Sequence, residues 1–247
     1  MSSNASSPVA IVTGASRGIG AELARRLAAD GYAVVVNHAH SAPEAEALVA
    51  ELRAGGARAI AVRADVSKAE EVRALFDVTE RELGPVDVLV NNAGVLKTLP
   101  LAQTSDALYE RTFDTNVRGT FNTLREAATR LSEGGRIVNF SSTTVALNLP
   151  GYSVYIASKA AVESLTQVFA KELRGRRITV NAVAPGPVAT ALFFDGKTPE
   201  QIQMHAQMPP LQRLGEPGDI ASVVGFLVSP AGGWVNGQVL RANGGLA

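Results

Sequence analysis

The sequence predicts an α/β protein: one doubly wound domain, with a seven-stranded, mostly parallel sheet and helices on both faces. Three observations carry that prediction. Short apolar runs alternate with longer stretches of helical periodicity along most of the chain. A glycine-rich turn, T-G-A-S-R-G-I-G over 13–20, joins the first strand to the first helix. Polar residues recur just after successive strands, on the edge where open α/β sheets bind ligands.

The elements run in order along the chain. Residues 9–13 make the first strand. Residues 17–29 place Ile19, Leu23 and Leu27 on one helical stripe. Strands at 32–36, 58–63 and 86–90 alternate with helices at 44–54 and 68–83. A long helical region covers 105–131. A fifth strand at 136–140, a helix at 154–174 and a sixth strand at 178–182 continue the pattern. A helix at 218–228 and a strand at 238–241 close it. Such alternation builds parallel sheets covered on both sides. Residues 191–214 break the rhythm, carrying Phe193, Phe194, Met204, Met208 and Leu211 among Gly and Pro. That segment is expected either to be a lid over an apolar site or to be a helix pair packed on the core.

Composition narrows the function. The chain has 247 residues, 46% of them hydrophobic, which supports one full core without a linker or repeat. Its 23 basic and 23 acidic residues balance, so no general nucleic-acid or anionic-membrane surface is expected. There is no cysteine, and only three histidines, so no metal site is expected. No run reaches the roughly 18 apolar residues of a membrane span. The first residues, M-S-S-N-A-S-S, read as a polar tail over 1–7 rather than a signal peptide. A single domain over 8–247 and a cytoplasmic location are the resulting expectations.

The glycine turn suits a phosphate. Unpaired amides at a helix N-terminus attract anions, and glycines let the backbone approach a pyrophosphate. In doubly wound folds an acid after the second strand usually holds the adenosine ribose 2′-hydroxyl. Here the second strand runs into Asn37, His38, Ala39, His40 and Ser41, and no carboxylate comes before Glu44. Arg17 lies inside the glycine turn. A missing acid beside an arginine favours a 2′-phosphate, hence NADP(H), with Asn37, His38, His40 and Ser41 adding hydrogen bonds.

Tyr155 and Lys159 stand four residues apart, about one helical turn, so phenol and ammonium share a face. A cation so placed is expected to favour the phenolate and lower the tyrosine pKa. The Ser142 hydroxyl, thirteen residues upstream of the tyrosine, could polarise a carbonyl. Such a set passes a proton to or from an oxygen bonded to carbon.

These motifs together resemble the short-chain dehydrogenase/reductase family. The resemblance runs from Val9 to Gly245 through T-G-A-S-R-G-I-G at 13–20, Asp65-Val66, N-N-A-G at 91–94, Asn116, Ser142, Y-x-x-x-K at 155–159 and P-G-P-V-A-T at 185–190. R-L-G-E-P-G-D-I-A at 213–221 and Gly244-Gly245 match its C-terminal pattern. The resemblance implies a Rossmann fold and a role for each motif. Gly14, Ser16, Arg17, Gly18, Ile19 and Gly20 would bind the cofactor's phosphates and ribose. Asp65 and Val66 would meet the adenine, and Asn91, Asn92, Ala93 and Gly94 would end the fourth strand beneath the ribose. Pro185, Gly186, Val188 and Thr190 would hold the nicotinamide. Asn116, Ser142, Tyr155 and Lys159 would be the catalytic set. Tyr155 would donate the proton, Lys159 would grip the nicotinamide ribose, and Asn116 would hold a relay water.

The implied reaction is carbonyl reduction. Residues 184–197 are similar to those of NADPH-dependent aldehyde and carbonyl reductases, and Leu147, Leu149, Phe193 and Phe194 would offer a small hydrophobic substrate an apolar pocket. A 3-oxoacyl-(acyl carrier protein) reductase is the alternative, with Arg130, Arg136, Arg174, Arg176 and Arg177 as candidate docking cations. A non-catalytic NADP sensor is the alternative of another class, though here all four catalytic positions are filled. The family's habit predicts a homotetramer.

Overall fold

A computed structural model of the chain describes residues 7–247. The expected polar tail lies outside the described residues except for Ser7. The chain alternates β1 (Val9–Val12), α1 (Gly18–Ala29), β2 (Ala33–His38), α2 (Ala42–Ala54), β3 (Ala59–Arg63), α3 (Ala69–Glu82) and β4 (Val86–Asn91). Then come α4 (Asp106–Phe113), a π-helical turn (Asp114–Arg118), α5 (Gly119–Arg130), β5 (Leu131–Phe140), α6 (Thr144–Leu147) and α7 (Ser153–Glu172). The last part is β6 (Thr179–Pro185), α8 (Ala191–Phe194), α9 (Pro199–Gln207), α10 (Pro217–Val228) and β7 (Val239–Ala242).

The seven strands form one sheet in the order β3-β2-β1-β4-β5-β6-β7. Every neighbouring pair is parallel, so the sheet is wholly rather than mostly parallel. Successive side chains of a strand point to opposite faces. Ala10 and Val12 join one core with Leu23, Leu27, Leu48 and Val224 from α1, α2 and α10. Val9 and Ile11 join the other with Leu75, Phe76 and Leu124 from α3 and α5, and Ala170 from α7. Two cores, one on each face, make strands that are apolar on both sides.

The order reverses between β1 and β4, which opens a crevice at their carboxyl ends, as this topology dictates. Several strands outrun expectation: β2 continues to His38, β5 begins at Leu131 and β6 reaches Pro185. The helical region at 105–131 is interrupted by the π turn, which sequence periodicity does not reveal. No described helix is long and apolar enough to cross a membrane.

Candidate active site

The glycine turn is shaped by contact. Gly14 has φ of 61° and Gly18 of 57°, left-handed values that suit glycine. A Cβ on Gly14 would lie 2.9 Å from Ala93 Cα, and one on Gly20 would lie 2.4 Å from the Gly14 carbonyl oxygen. Asn92 holds the turn from the neighbouring strand end, its amide donating to Thr13 O at 2.9 Å and Gly14 O at 3.0 Å. Thr13 Oγ1 accepts from the Asn92 and Ala93 backbone amides, both at 3.0 Å. The carboxyl ends of β1 and β4 are thereby fixed together.

This turn forms one wall of a groove of about 510 Å³ with a mixed polar and apolar lining. Ser16, Arg17, Ile19, His38, His40, Ser41, Asp65, Val66, Ala93, Gly94 and Thr190 also line it. Asn37 lines the groove too, but its side chain is already engaged. It accepts from the Gly14 amide at 3.3 Å and donates to Val62 O and Ala64 O at 3.2 and 3.0 Å. The expectation that Asn37 adds a bond to a 2′-phosphate is therefore corrected: both amide hydrogens are committed to β3 and the loop after it. Asp65 is likewise partly engaged, accepting from the Ser67 amide and hydroxyl at 3.0 and 2.8 Å. His38 is buried, with Nδ1 lacking a partner among the described residues. Arg17 and His40 are exposed at the rim.

The groove meets a second cavity of about 200 Å³, largely apolar, and the two share Ile19, Asn92, Gly94, Val95, Thr190 and Leu192. Ser142, Tyr155 and Lys159 line this second cavity. Ser142 comes just after β5, and its oxygen accepts from the Thr144 hydroxyl at 2.9 Å and the Thr144 amide at 3.3 Å. Those contacts orient the oxygen and leave its own hydrogen to donate. Lys159 is buried, 5% exposed, and donates to Phe140 O at 2.8 Å, which anchors α7 to the end of β5. Its Nζ lies 5.8 Å from the Tyr155 ring centroid.

Burial dominates the titration of both groups. It pushes the Tyr155 phenol up to about 12, while hydrogen bonding to Ser142 pulls the other way. It lowers Lys159 to about 8. The expected depression of the Tyr155 pKa by Lys159 is thus not met in the protein alone. Withdrawing both groups from water favours their neutral forms; Lys159 still carries its charge near neutral pH, but that charge does not offset the burial of the phenol.

Asn116 sits on the π turn and is buried. Its side chain accepts from the Val95 amide at 2.8 Å and donates to Val95 O at 3.0 Å and Ser158 Oγ at 3.0 Å. Both amide hydrogens are taken, so this side chain clamps the loop after β4 against α7. Its backbone oxygen accepts from Thr120 Oγ1 at 2.9 Å.

The whole length of the chain after β1 matches a known pattern. The family model described as enoyl-(acyl carrier protein) reductase matches residues 14–247. A short-chain type dehydrogenase/reductase of Picea abies is 48% identical, over 96% of this chain and 91% of the relative. The chain belongs to the short-chain dehydrogenase/reductase family. Among other members, the NADPH-dependent aldehyde reductase-like protein, chloroplastic, of Arabidopsis thaliana is 45% identical over 96% of this chain and 93% of its own. A short-chain dehydrogenase from Burkholderia cenocepacia in complex with NADP superposes with a TM-score of 0.92 at 39% identity, covering 98% of each chain. A blue fluorescent protein from a metagenomic library in complex with NADPH gives 0.93 at 40%, covering 99% of each.

As a short-chain dehydrogenase/reductase, the chain must hold a nicotinamide dinucleotide, and its residues fit one. The cradle leaves no room for a Cβ at Gly14 or Gly20, and among the described residues His38 Nδ1 is unpartnered and Lys159 keeps two donors free of protein partners. Pro185, Gly186 and Val188 border the junction of the two cavities on the apolar side. Thr190 faces both cavities and also caps α8, accepting from the Phe193 amide at 3.2 Å.

Several lining residues escape sequence reasoning. Tyr152 stands at the start of α7, with its ring 6.4 Å from that of Tyr155. Thr144 supports Ser142. Asn243 donates to Thr143 Oγ1 at 3.1 Å and accepts from the Gly245 amide at 3.0 Å, which brings Leu246 to the apolar cavity. The segment 191–214 forms one side of that cavity. Its ends are strapped together where Ala189 N donates to Gly215 O at 2.8 Å and Gly215 N to Pro187 O at 2.9 Å. The segment does form two helices, α8 and α9, but no residue of either is buried, so they do not pack on the core.

Proposed function

We propose that the protein is an NADPH-dependent oxidoreductase that reduces an aldehyde or ketone to an alcohol. The observation that carries this reading is the junction itself. Ser142, Tyr155 and buried Lys159 face an apolar cavity that opens onto the dinucleotide groove. The structural relatives described with NADP and NADPH support the cofactor, and the aldehyde reductase relatives support the substrate class.

Bound in the groove, the cofactor supplies the hydride that reaches the carbonyl carbon. Ser142 donates a hydrogen bond to the carbonyl oxygen, freed to do so because Thr144 satisfies its lone pairs. Tyr155 delivers the proton to that oxygen. A phenol held neutral by burial keeps its proton until charge develops there. Lys159, still largely protonated near neutral pH, stabilises the phenolate left behind. Leu147, Leu149, Tyr152 and Phe193 exclude water from the reacting carbonyl.

Two observations weaken the 3-oxoacyl thioester alternative. Arg130 is bound by Asp77 and Glu80, both at 2.7 Å, and Glu126 at 3.2 Å. Arg176 pairs with Glu133 and donates to Ala128 O and Leu131 O. These cations are built into the fold and are poor docking points for an acidic carrier protein. The test compares rates on free aldehydes and ketones with rates on 3-oxoacyl thioesters, with NADPH and NADH in parallel. The reading expects free carbonyls and NADPH to lead; a strong thioester preference would overturn it.

A further inference from the structure

The apolar cavity has one basic side. Lys197 and His205, from the turn after α8 and from α9, line it together with Phe193. The Phe193 ring is flanked by Lys197 Nζ at 4.6 Å from its centroid and by the His205 ring at 5.5 Å. Phe194 lies against the same ring at 5.6 Å. The stack fixes both nitrogenous side chains on the wall contributed by 191–214, whereas Ser142 and Tyr155 come from the end of β5 and from α7.

A structural role accounts for part of this. Lys197 donates to Phe193 O at 2.5 Å and so closes the last turn of α8. That uses one of its three donors. Among the described residues no carboxylate lies within salt-bridge distance of Lys197 or His205, although Asp195 is near enough to act on the lysine through space. Burial disfavours the charge on both groups, and Lys197 further disfavours it on His205. A partly buried ammonium with no carboxylate in contact, on a wall that also carries Phe193 and Leu192, is incompletely compensated in the protein alone. A ligand anion would relieve it.

We infer that the preferred substrates are oxo compounds carrying a carboxylate away from the reacting carbonyl, with Lys197 as the charge partner and His205 as a hydrogen-bond donor. The inference rests on the carbonyl-reductase reading. It narrows the substrate class: an apolar body between two polar ends, one reduced and one recognised. The contact requires Lys197 to keep its bond to Phe193 O and turn a free N–H into the cavity.

The experiment measures kcat/KM with NADPH for 4-carboxybenzaldehyde and for its methyl ester, in the wild type, Lys197→Met and Lys197→Arg. A charge-assisted hydrogen bond in a partly buried site should favour the acid by about ten- to a hundredfold. The acid-to-ester ratio should collapse to near one in Lys197→Met and survive in Lys197→Arg, whatever happens to the absolute rates. An ester reduced as well as the acid by the wild type overturns the inference and leaves carbonyl reduction standing. A ratio unchanged by Lys197→Met overturns the lysine's role. Turnover of neither compound, nor of any free carbonyl, overturns both the inference and the reading beneath it.

Discussion

Burial acts on Tyr155 and Lys159 in opposite directions, and the two consequences are separable. Tyr155→Phe removes only the phenolic oxygen, so cofactor affinity should hold while turnover falls by at least about 100-fold, the lower range for a placed acid–base group. Equilibrium titration with NADPH beside steady-state rates checks it; a variant keeping a tenth of the rate would remove Tyr155 from the mechanism. Lys159 makes a stability prediction. Its pKa falls from 10.5 in the unfolded chain to about 8 in the folded one. Between those values the unfolded chain binds more protons, so stability rises with pH there. Tyr155, raised from 10 to about 12, reverses the trend above pH 10, where the folded state holds the extra proton. Without added cofactor, stability should therefore improve from about pH 8 to 10, by roughly 2 kcal/mol from Lys159 by linkage. Lys159→Met should flatten that rise, which denaturant titrations at pH 7.5 and 9.5 would measure.

Among the elements, the π turn at Asp114–Arg118 matters most to the site. An extra residue in a helical turn displaces the residues beyond it, and here it sets Asn116 between Val95 in the loop after β4 and Ser158 of α7. Asn116→Ala would leave the Val95 backbone and the Ser158 hydroxyl short of buried partners. The expected cost is about 1–3 kcal/mol in stability, together with lower turnover, because α7 carries Tyr155 and Lys159. Thermal melts and rates on one preparation test both; intact activity with lost stability would confine Asn116 to a structural part. A second buried network ties the same helix to the sheet. Thr123 donates to Asn91 at 2.7 Å, Asn91 to Asn139 at 2.8 Å, and Asn139 to Thr166 of α7 at 2.8 Å. Polar side chains this deep fix a unique register for α7 against β4 and β5.

At the scale of the whole molecule, apolar surface remains uncovered. Phe121 on α5, Val168 on α7 and Trp234 before β7 are 45%, 54% and 99% exposed. Large exposed aromatics on a protein with full internal cores call for a partner surface. We propose the homotetramer expected from the family resemblance, with the α5 and α7 faces that carry Phe121 and Val168 as its contacts. Light scattering should give about four times the 25.7 kDa chain mass; a monomer at micromolar concentration would refute it.

How far the sequence reaches can be judged residue by residue. All seven strands lie where apolar runs predict them, because a strand buried on both faces must be apolar throughout. The glycine turn, Ser142 and the Tyr155–Lys159 pair are legible because their chemistry requires particular residue types at fixed spacings. The roles of Asn37 and Asn116 are not, since an amide looks the same whether it faces a ligand or holds the backbone. Only the packed structure decides the direction of the Tyr155 and Lys159 pKa shifts, because desolvation depends on what surrounds a group rather than on its sequence neighbours. It also decides that Lys197 and His205, unremarkable in the sequence, come together on one ring at the edge of the substrate cavity. The sequence by itself determined the sheet, the dinucleotide groove and the class of chemistry, all of which arise from local periodicity and residue type. The tertiary structure decided the shape and charge of the substrate end, because these depend on contacts between segments far apart in the chain.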